Sequence, residues 1–271
     1  MAKSMTRPYQ AELDVTIAAA ILAARAIEVR CGGQPVVQYK SPIEPVTEAD
    51  IAADRVLRRE LMGAFPRYGW LSEESLDDST RMEKRRVWVV DPLDGTREFV
   101  AGRPEFMVSV ALCEDGQPIV GVLAHPLTHQ IWAATRGGGA TLDGEPISVS
   151  SVAALSDAEV VVSRSETGRG LLKCYDDTLK MRPAGGMANK LALISDGRSE
   201  ATFTTDRRCE WDLAAGLLIV EEAGGTVTRL DGGGFTFNNA FPKFYGVAAS
   251  NGLVHADLLR VVNAQNDAAS G

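Results

Sequence analysis

The sequence predicts an α/β protein, built as a layered sandwich of helices and sheets. Segments with helical periodicity alternate along the chain with strand-like segments, the pattern expected when helices cover sheets. Val87–Val90 has four apolar residues in succession and therefore no polar face, as in a strand covered on both sides. That run ends abruptly in Asp91 and Asp94, placing two carboxylates at the carboxyl end of a strand, where α/β folds hold their ligands.

The elements follow in order. Leu13, Ile17, Ile21, Ala24 and Ile27 share one helical face and predict a first helix over Glu12–Arg30, stopped by Gly32 and Gly33. Pro42 and Pro45 predict an extended loop. Thr47 opens a second helix, with Asp50 at capping-box spacing. Pro92 cannot donate to a ladder, so the pairing of Val87–Val90 should stop near Asp91. Gly95 and Thr96 then open a turn or helix. Strands follow at Phe106–Leu112, Val120–Ala124 and Ile131–Thr135, completing an N-terminal half over residues 1–150. The C-terminal half, 151–271, predicts a strand at Glu159–Ser163, a helix at Ala188–Ser195 and a strand at Ala201–Thr204. A helix over Asp212–Ala223, strands at Thr226–Leu230 and Tyr245–Ala249, and a C-terminal helix with a frayed tail after Asn263 close the chain.

A hydrophobic content of 45% and a charged content of 24% fit an ordinary globular enzyme. The net charge of −8 disfavours non-specific nucleic-acid binding, which needs clustered Lys and Arg. No apolar run approaches a membrane span, and the N-terminus lacks the apolar core of a signal peptide. Cys31, Cys113, Cys174 and Cys209 are scattered without a Cys-x-x-Cys pair, which predicts reduced thiols and a cytoplasmic location.

The chemistry is concentrated in Val87-Trp-Val-Val-Asp-Pro-Leu-Asp-Gly-Thr96. Asp91 and Asp94 repel each other unless a cation lies between them, and hard carboxylate oxygens suit Mg²⁺. Backbone amides at Gly95–Thr96 could receive a phosphate. An ordinary strand and Asp-Gly turn would explain this segment alone. It does not explain the accompanying Leu71-Ser-Glu73-Glu74-Ser75 and Glu210-Trp211-Asp212 clusters in a chain without a coherent His or Cys ligand set.

The Glu-Glu, Asp-Pro-Leu-Asp-Gly-Thr and Trp-Asp pattern resembles that of the inositol monophosphatase superfamily of Mg²⁺-dependent, lithium-sensitive phosphomonoesterases. The resemblance runs from Thr47-Glu-Ala-Asp50 to Gly246-Val-Ala-Ala-Ser250. It implies α-β-α-β-α layers, an active site between the two halves, and a homodimer. It further implies about two or three Mg²⁺ ions per site, held by Glu73, Asp91, the Leu93 carbonyl, Asp94 and Asp212. Glu74 matches a residue that either supports these ligands from behind or holds a third ion. Thr96 resembles a water-orienting hydroxyl paired with Asp50, with Glu73 beside them; both Thr96 and Asp50 could equally cap their own helices.

Substrate signals lie in the second half. Ser163-Arg164-Ser165, Gly186-Met-Ala-Asn-Lys190 and Glu210 resemble segments of the 3′(2′),5′-bisphosphate nucleotidases within the superfamily. With Gly95 and Thr96, the residues Ser163, Arg164, Gly186, Lys190 and Glu210 are the expected substrate contacts. Pro42 departs from the nucleotidase pattern, and Thr205 stands where inositol phosphatases carry a glutamate. The resemblance points to 3′-phosphoadenosine 5′-phosphate, hydrolysed to AMP and phosphate. Inositol monophosphate or a sugar phosphate is the alternative substrate, and a regulatory protein bound to the transcription machinery is an alternative of another class. Among weaker motifs, His125 and His129 flank Pro126 and are poor zinc ligands. Gly137-Gly138-Gly139 predicts a hairpin turn, and Asp206-Arg207-Arg208 predicts a solvated loop that could still reach a phosphate.

Overall fold

In the computed structural model, which describes residues 9–33, 35–41 and 44–270, the run Val87–Val90 forms the middle of a sheet strand. Val87 and Val89 pack into one apolar core and Trp88 and Val90 into another, so both sheet faces are covered. This period-two split organises the layers.

The first half contains helix α1 (Gln10–Glu28), the strands β1 (Val37–Ser41) and β2 (Glu44–Thr47), and helix α2 (Glu48–Ala64). Strands β3 (Gly69–Ser72) and β4 (Arg86–Asp94), the short helix α3 (Thr96–Val100) and strand β5 (Met107–Glu114) follow. Strands β6 (Gln117–Ala124), β7 (Ile131–Thr135), β8 (Gly139–Leu142) and β9 (Glu145–Pro146) complete it. Strands β3 to β9 form a seven-stranded sheet in sequence order. The second half contains strand β10 (Glu159–Ser163), helix α4 (Arg164–Gly168), strand β11 (Lys180–Ala184) and helix α5 (Met187–Ser195). Strand β12 (Ala201–Cys209), helix α6 (Glu210–Glu222), strands β13 (Thr226–Thr228) and β14 (Lys243–Ser250), and helix α7 (His255–Ser270) finish the chain. Its five-stranded sheet has the order β11-β10-β12-β14-β13.

Helices α1 and α2 cover one face of the seven-stranded sheet, and α5 and α6 fill the space between the two sheets. Leu258 and Val262 of α7 pack on the outer face of the second sheet. The result is the expected α-β-α-β-α sandwich. Helix α6 touches both sheets, and Leu213–Val220 is buried throughout, as a helix apolar on all sides requires.

Four local expectations are corrected. Pro45 lies in an antiparallel hairpin opposite Tyr39 and not in a loop, a position open to proline because this two-stranded ribbon leaves an edge free; Pro42 falls outside the described residues. Pairing of β4 with β5 does not end at Asp91. It skips Pro92 and Leu93 and resumes at Asp94↔Met107. Helix α7 continues to Ser270, past the point where fraying was expected. Strand β12 extends to Cys209, five residues beyond Thr204, by restarting its pairing after a register shift between Thr204 and Arg207.

Candidate active site

The β4 irregularity is where the site begins. By interrupting the ladder at Pro92 it brings Asp91 and Asp94, both buried, to the strand end. Asp91 Oδ1 accepts from the Leu93 amide at 3.0 Å, which fixes the intervening turn. Gly95 then adopts φ +96°, and a Cβ there would lie 2.6 Å from the Glu105 carbonyl oxygen, so only glycine fits.

Glu73 follows β3, the parallel neighbour of β4, and Asp212 lies in the first turn of α6. Carboxylate oxygens of Glu73, Asp91 and Asp212 lie within 4.8 Å of one another. Burial first, then the neighbouring carboxylates, push Asp91 well above the usual carboxylate range and Asp212 up to about 7. Burial also raises Glu73, against the pull of Lys40. Three hard oxygens crowded at that separation fit a divalent cation, which would supply the charge that the protein withholds.

Asp94 is turned differently. Its Oδ2 accepts from the Ala188 amide at 2.6 Å, at the start of α5 in the other half. The Leu93 carbonyl oxygen lies 3.1 Å from Thr96 Oγ1. Thr96 Oγ1 also lies 2.8 Å from Asp50 Oδ1, so the expected pairing and the expected helix cap coexist in one carboxylate. Asp50 Oδ2 accepts from the Thr47 amide at 2.7 Å and from the Thr47 hydroxyl at 2.6 Å. Lys40 reaches Glu73 at 3.0 Å and Glu74 at 2.5 Å from the β1–β2 hairpin. Burial, opposed by Lys40, raises Glu74 to about 7.

A cleft of about 470 Å³ opens over this cluster. Of the expected substrate contacts, Gly95, Thr96, Ser163, Arg164, Gly186 and Lys190 all line it. Ser163 caps α4 by accepting from the Glu166 amide, and Arg164 is clamped by both oxygens of Glu105, at 2.5 and 2.6 Å. Lys190 is buried in the cleft floor with Nζ donating to the Gly186 carbonyl at 3.0 Å. Burial, then Arg208, hold its ammonium down at about 8.

Glu210 is a correction. Its carboxylate faces away from the cleft and accepts from the amides of Asn238 and Asn239 at 2.6 and 2.9 Å. At about 100° per residue, Glu210 and Asp212 project about 200° apart on α6, so both cannot face the cleft. The Asp206-Arg207-Arg208 run is likewise no free loop: all three residues line the cleft from β12. Arg208 is held by the buried Glu166 at 2.6 Å, and Glu166 also accepts from Thr204 Oγ1 at 2.7 Å. Lys243 and Tyr245 of β14 complete that wall, and with Glu105, which holds Arg164 from behind the lining, they are residues that sequence reasoning missed. Only the Arg207-Arg208 pair, four to five residues before Asp212, offered a signal. His125 Nδ1 accepts from the amides of Leu127 and Thr128, and His129 points to Glu28.

A two-sheet sandwich with a carboxylate cluster and a cation-lined cleft between its halves is the architecture of a metal-dependent phosphomonoesterase. The chain belongs to the inositol monophosphatase family, whose model matches residues 9–266. An inositol-1-monophosphatase of Rhizobium meliloti is 38% identical over 206 residues, covering 73% of this chain and 77% of that protein. A histidinol-phosphatase of Mycobacterium tuberculosis is 35% identical over 265 residues, 93% of this chain and 98% of its own. The solved structure of an IMPase from Thermotoga maritima superposes with a TM-score of 0.83 at 32% identity, covering 94% of this chain and 97% of that one. The protein is therefore a phosphatase of phosphoric monoesters from a Mg²⁺-dependent family. No helix among the described residues is long and apolar enough to cross a membrane.

Proposed function

We propose that the protein removes the 3′-phosphate of adenosine 3′,5′-bisphosphate, leaving AMP. The observation that carries this reading is the number of cations in the cleft wall: Arg164, Lys190, Arg207, Arg208 and Lys243 line it from the second half, against Asp206 as the one carboxylate of that half there besides the metal-site Asp212. A monophosphate whose reacting group is already met by metal needs no such wall, whereas a second, non-reacting phosphate does.

Glu73, Asp91 and Asp212, with Asp94 and the Leu93 carbonyl beside them, would hold two or three Mg²⁺ ions, and the site should be sensitive to lithium. Bound Mg²⁺ supplies charge stabilisation to the phosphoryl oxygens and acidifies the attacking water. Thr96 donates its one hydroxyl proton toward Asp50, which leaves its lone pairs free to accept from that water and aim it. Asp50 fixes the hydroxyl rotor, being itself locked by Thr47. No nucleophilic side chain is required, since water can attack phosphorus in line. Arg208, held by Glu166 in the cleft wall, would meet the second anion.

Inositol 1-phosphate is the second reading, favoured by the inositol-1-monophosphatase relative. Phosphate release from both compounds, with and without Mg²⁺, decides between them. The expected result is Mg²⁺-dependent turnover with kcat/KM at least about tenfold higher for the bisphosphate, or roughly 1.4 kcal/mol of discrimination. Preference for inositol 1-phosphate overturns the nucleotide reading and leaves the metal chemistry standing.

A further inference from the structure

Beyond the register shift at Thr204/Arg207, strand β12 pairs Arg207 with Tyr245 and Cys209 with Lys243. Before the shift, Ala201–Thr204 is buried; after it, Arg207 and Tyr245 emerge on the cleft side. Tyr245 is 67% exposed and lines the cleft. The Arg207 guanidinium carbon lies 4.8 Å from the Tyr245 ring centroid, and the same guanidinium donates to the Tyr245 hydroxyl. The cation is thus laid along the ring and tied to its edge, which immobilises both. The following Gly246 has φ +67°, and a Cβ there would lie 2.7 Å from Leu230, so the strand behind the ring is closely packed and cannot easily give way.

We infer that Arg207 and Tyr245 form a stacking platform for a planar aromatic group carried by the substrate alcohol, a nucleobase in the proposed reaction. The inference rests on the nucleotide reading for its ligand and adds the residues that select it. An aromatic face and a guanidinium plane both stack on bases, and neither distinguishes strongly among them. Cys209 immediately precedes the helix that carries Asp212, and Arg207 and Tyr245 line the same cleft as that carboxylate. A nucleoside phosphate carries, beside its ester, a base for such a wall to meet. Inositol and glycerol phosphates have nothing to place there.

The test compares adenosine 3′-phosphate with glycerol 2-phosphate, both phosphates of secondary alcohols, in wild type, Tyr245→Ala and Tyr245→Phe. The expected wild-type ratio of kcat/KM is about tenfold or more in favour of the adenosine ester, the scale of losing one base–aromatic stack. That ratio should fall toward one in Tyr245→Ala and return in Tyr245→Phe, because the ring and not the hydroxyl carries the contact. A wild-type ratio near one, an unchanged ratio in Tyr245→Ala, or a Phe variant as impaired as the Ala variant each overturns the platform. Failure of the bisphosphate reading shows separately: adenosine 3′,5′-bisphosphate would then be turned over no better than adenosine 3′-phosphate, with the Tyr245 effect intact.

Discussion

Asp94 Oδ2 accepts a 2.6 Å hydrogen bond from the amide of Ala188, a residue 94 positions away in the other half of the molecule. The contact places a carboxylate at the N-terminus of α5, where amide donors and the helix dipole favour negative charge. It explains why Gly186 has no side chain: a Cβ would lie 2.8 Å from that same oxygen, at a φ of +63°. Gly186→Ala is therefore expected to push Asp94 out of position and to cost about 1 kcal/mol or more in backbone strain. The Mg²⁺ concentration for half-maximal activity should rise by about tenfold, measured by phosphate release against Mg²⁺. An unchanged Mg²⁺ requirement would show that Asp94 has no part in holding the metal.

Asp212→Asn removes one charge from the carboxylate cluster. Turnover with saturating Mg²⁺ should fall by roughly a thousandfold or more, the scale of losing a group that stabilises charge in phosphoryl transfer. Thermal melting without metal should be unchanged or improved, since a carboxylate crowded by Asp94 and Glu73 is relieved. A folded Asp212→Asn protein with normal turnover would remove Asp212 from the metal site.

Thr96 and Asp50 separate by their second jobs. Thr96→Ala should lower kcat about a hundredfold with little change in melting temperature, and Thr96→Ser should recover much of the loss. Asp50→Ala should lose both activity and stability, by about 1 kcal/mol for the broken cap at Thr47. Equal impairment of Thr96→Ala and Thr96→Ser would assign the threonine to backbone geometry alone.

His255 gives the protein a pH dependence independent of the metal. Its ring is hydrogen-bonded to Ser250 Oγ at 3.0 Å and to Thr228 Oγ1 at 2.9 Å, and burial lowers its pKa below the ordinary 6.5. A base with a depressed folded pKa stabilises fully above 6.5, and that stability is lost as pH falls through the folded value. The raised carboxylates of the metal-free site act in the opposite direction, so the readout is a difference between proteins. Between pH 7.5 and 5, the melting temperature of wild type should fall more steeply than that of His255→Gln. Parallel profiles would show that His255 is not held neutral.

The parts of the site legible in the sequence are those where one residue type served two local purposes. Val87–Val90 announced a doubly covered strand, and the acids after it had no folding reason to be there. Thr47 and Asp50 declared a helix start through spacing alone. What stayed hidden depended on direction and on pairing between distant strands. Glu210 and Asp212 are two residues apart in sequence, but helix geometry aims them at opposite partners, the Asn238–Asn239 loop and the cleft. Thr205–Arg208 is polar throughout and its first three residues are exposed, so nothing local marks it as strand; Arg207 and Arg208 are held extended by pairing with Tyr245 and Phe244 far along the chain. Glu105 left no signal, because its role exists only once Arg164 arrives from the second half.

Helix α6 settles how the enzyme can move. It is shared by both sheets and has no solvent-facing side along most of its length, so neither half can swing about a hinge without tearing the common wall. Substrate capture by a clam-like closing of two lobes is denied to this architecture. The cleft must admit, hold and release its ligand with the framework rigid, and any gating falls to small surface pieces. Lys40 of β1, tied to both Glu73 and Glu74, joins the rim of the cleft to the carboxylates within that fixed frame.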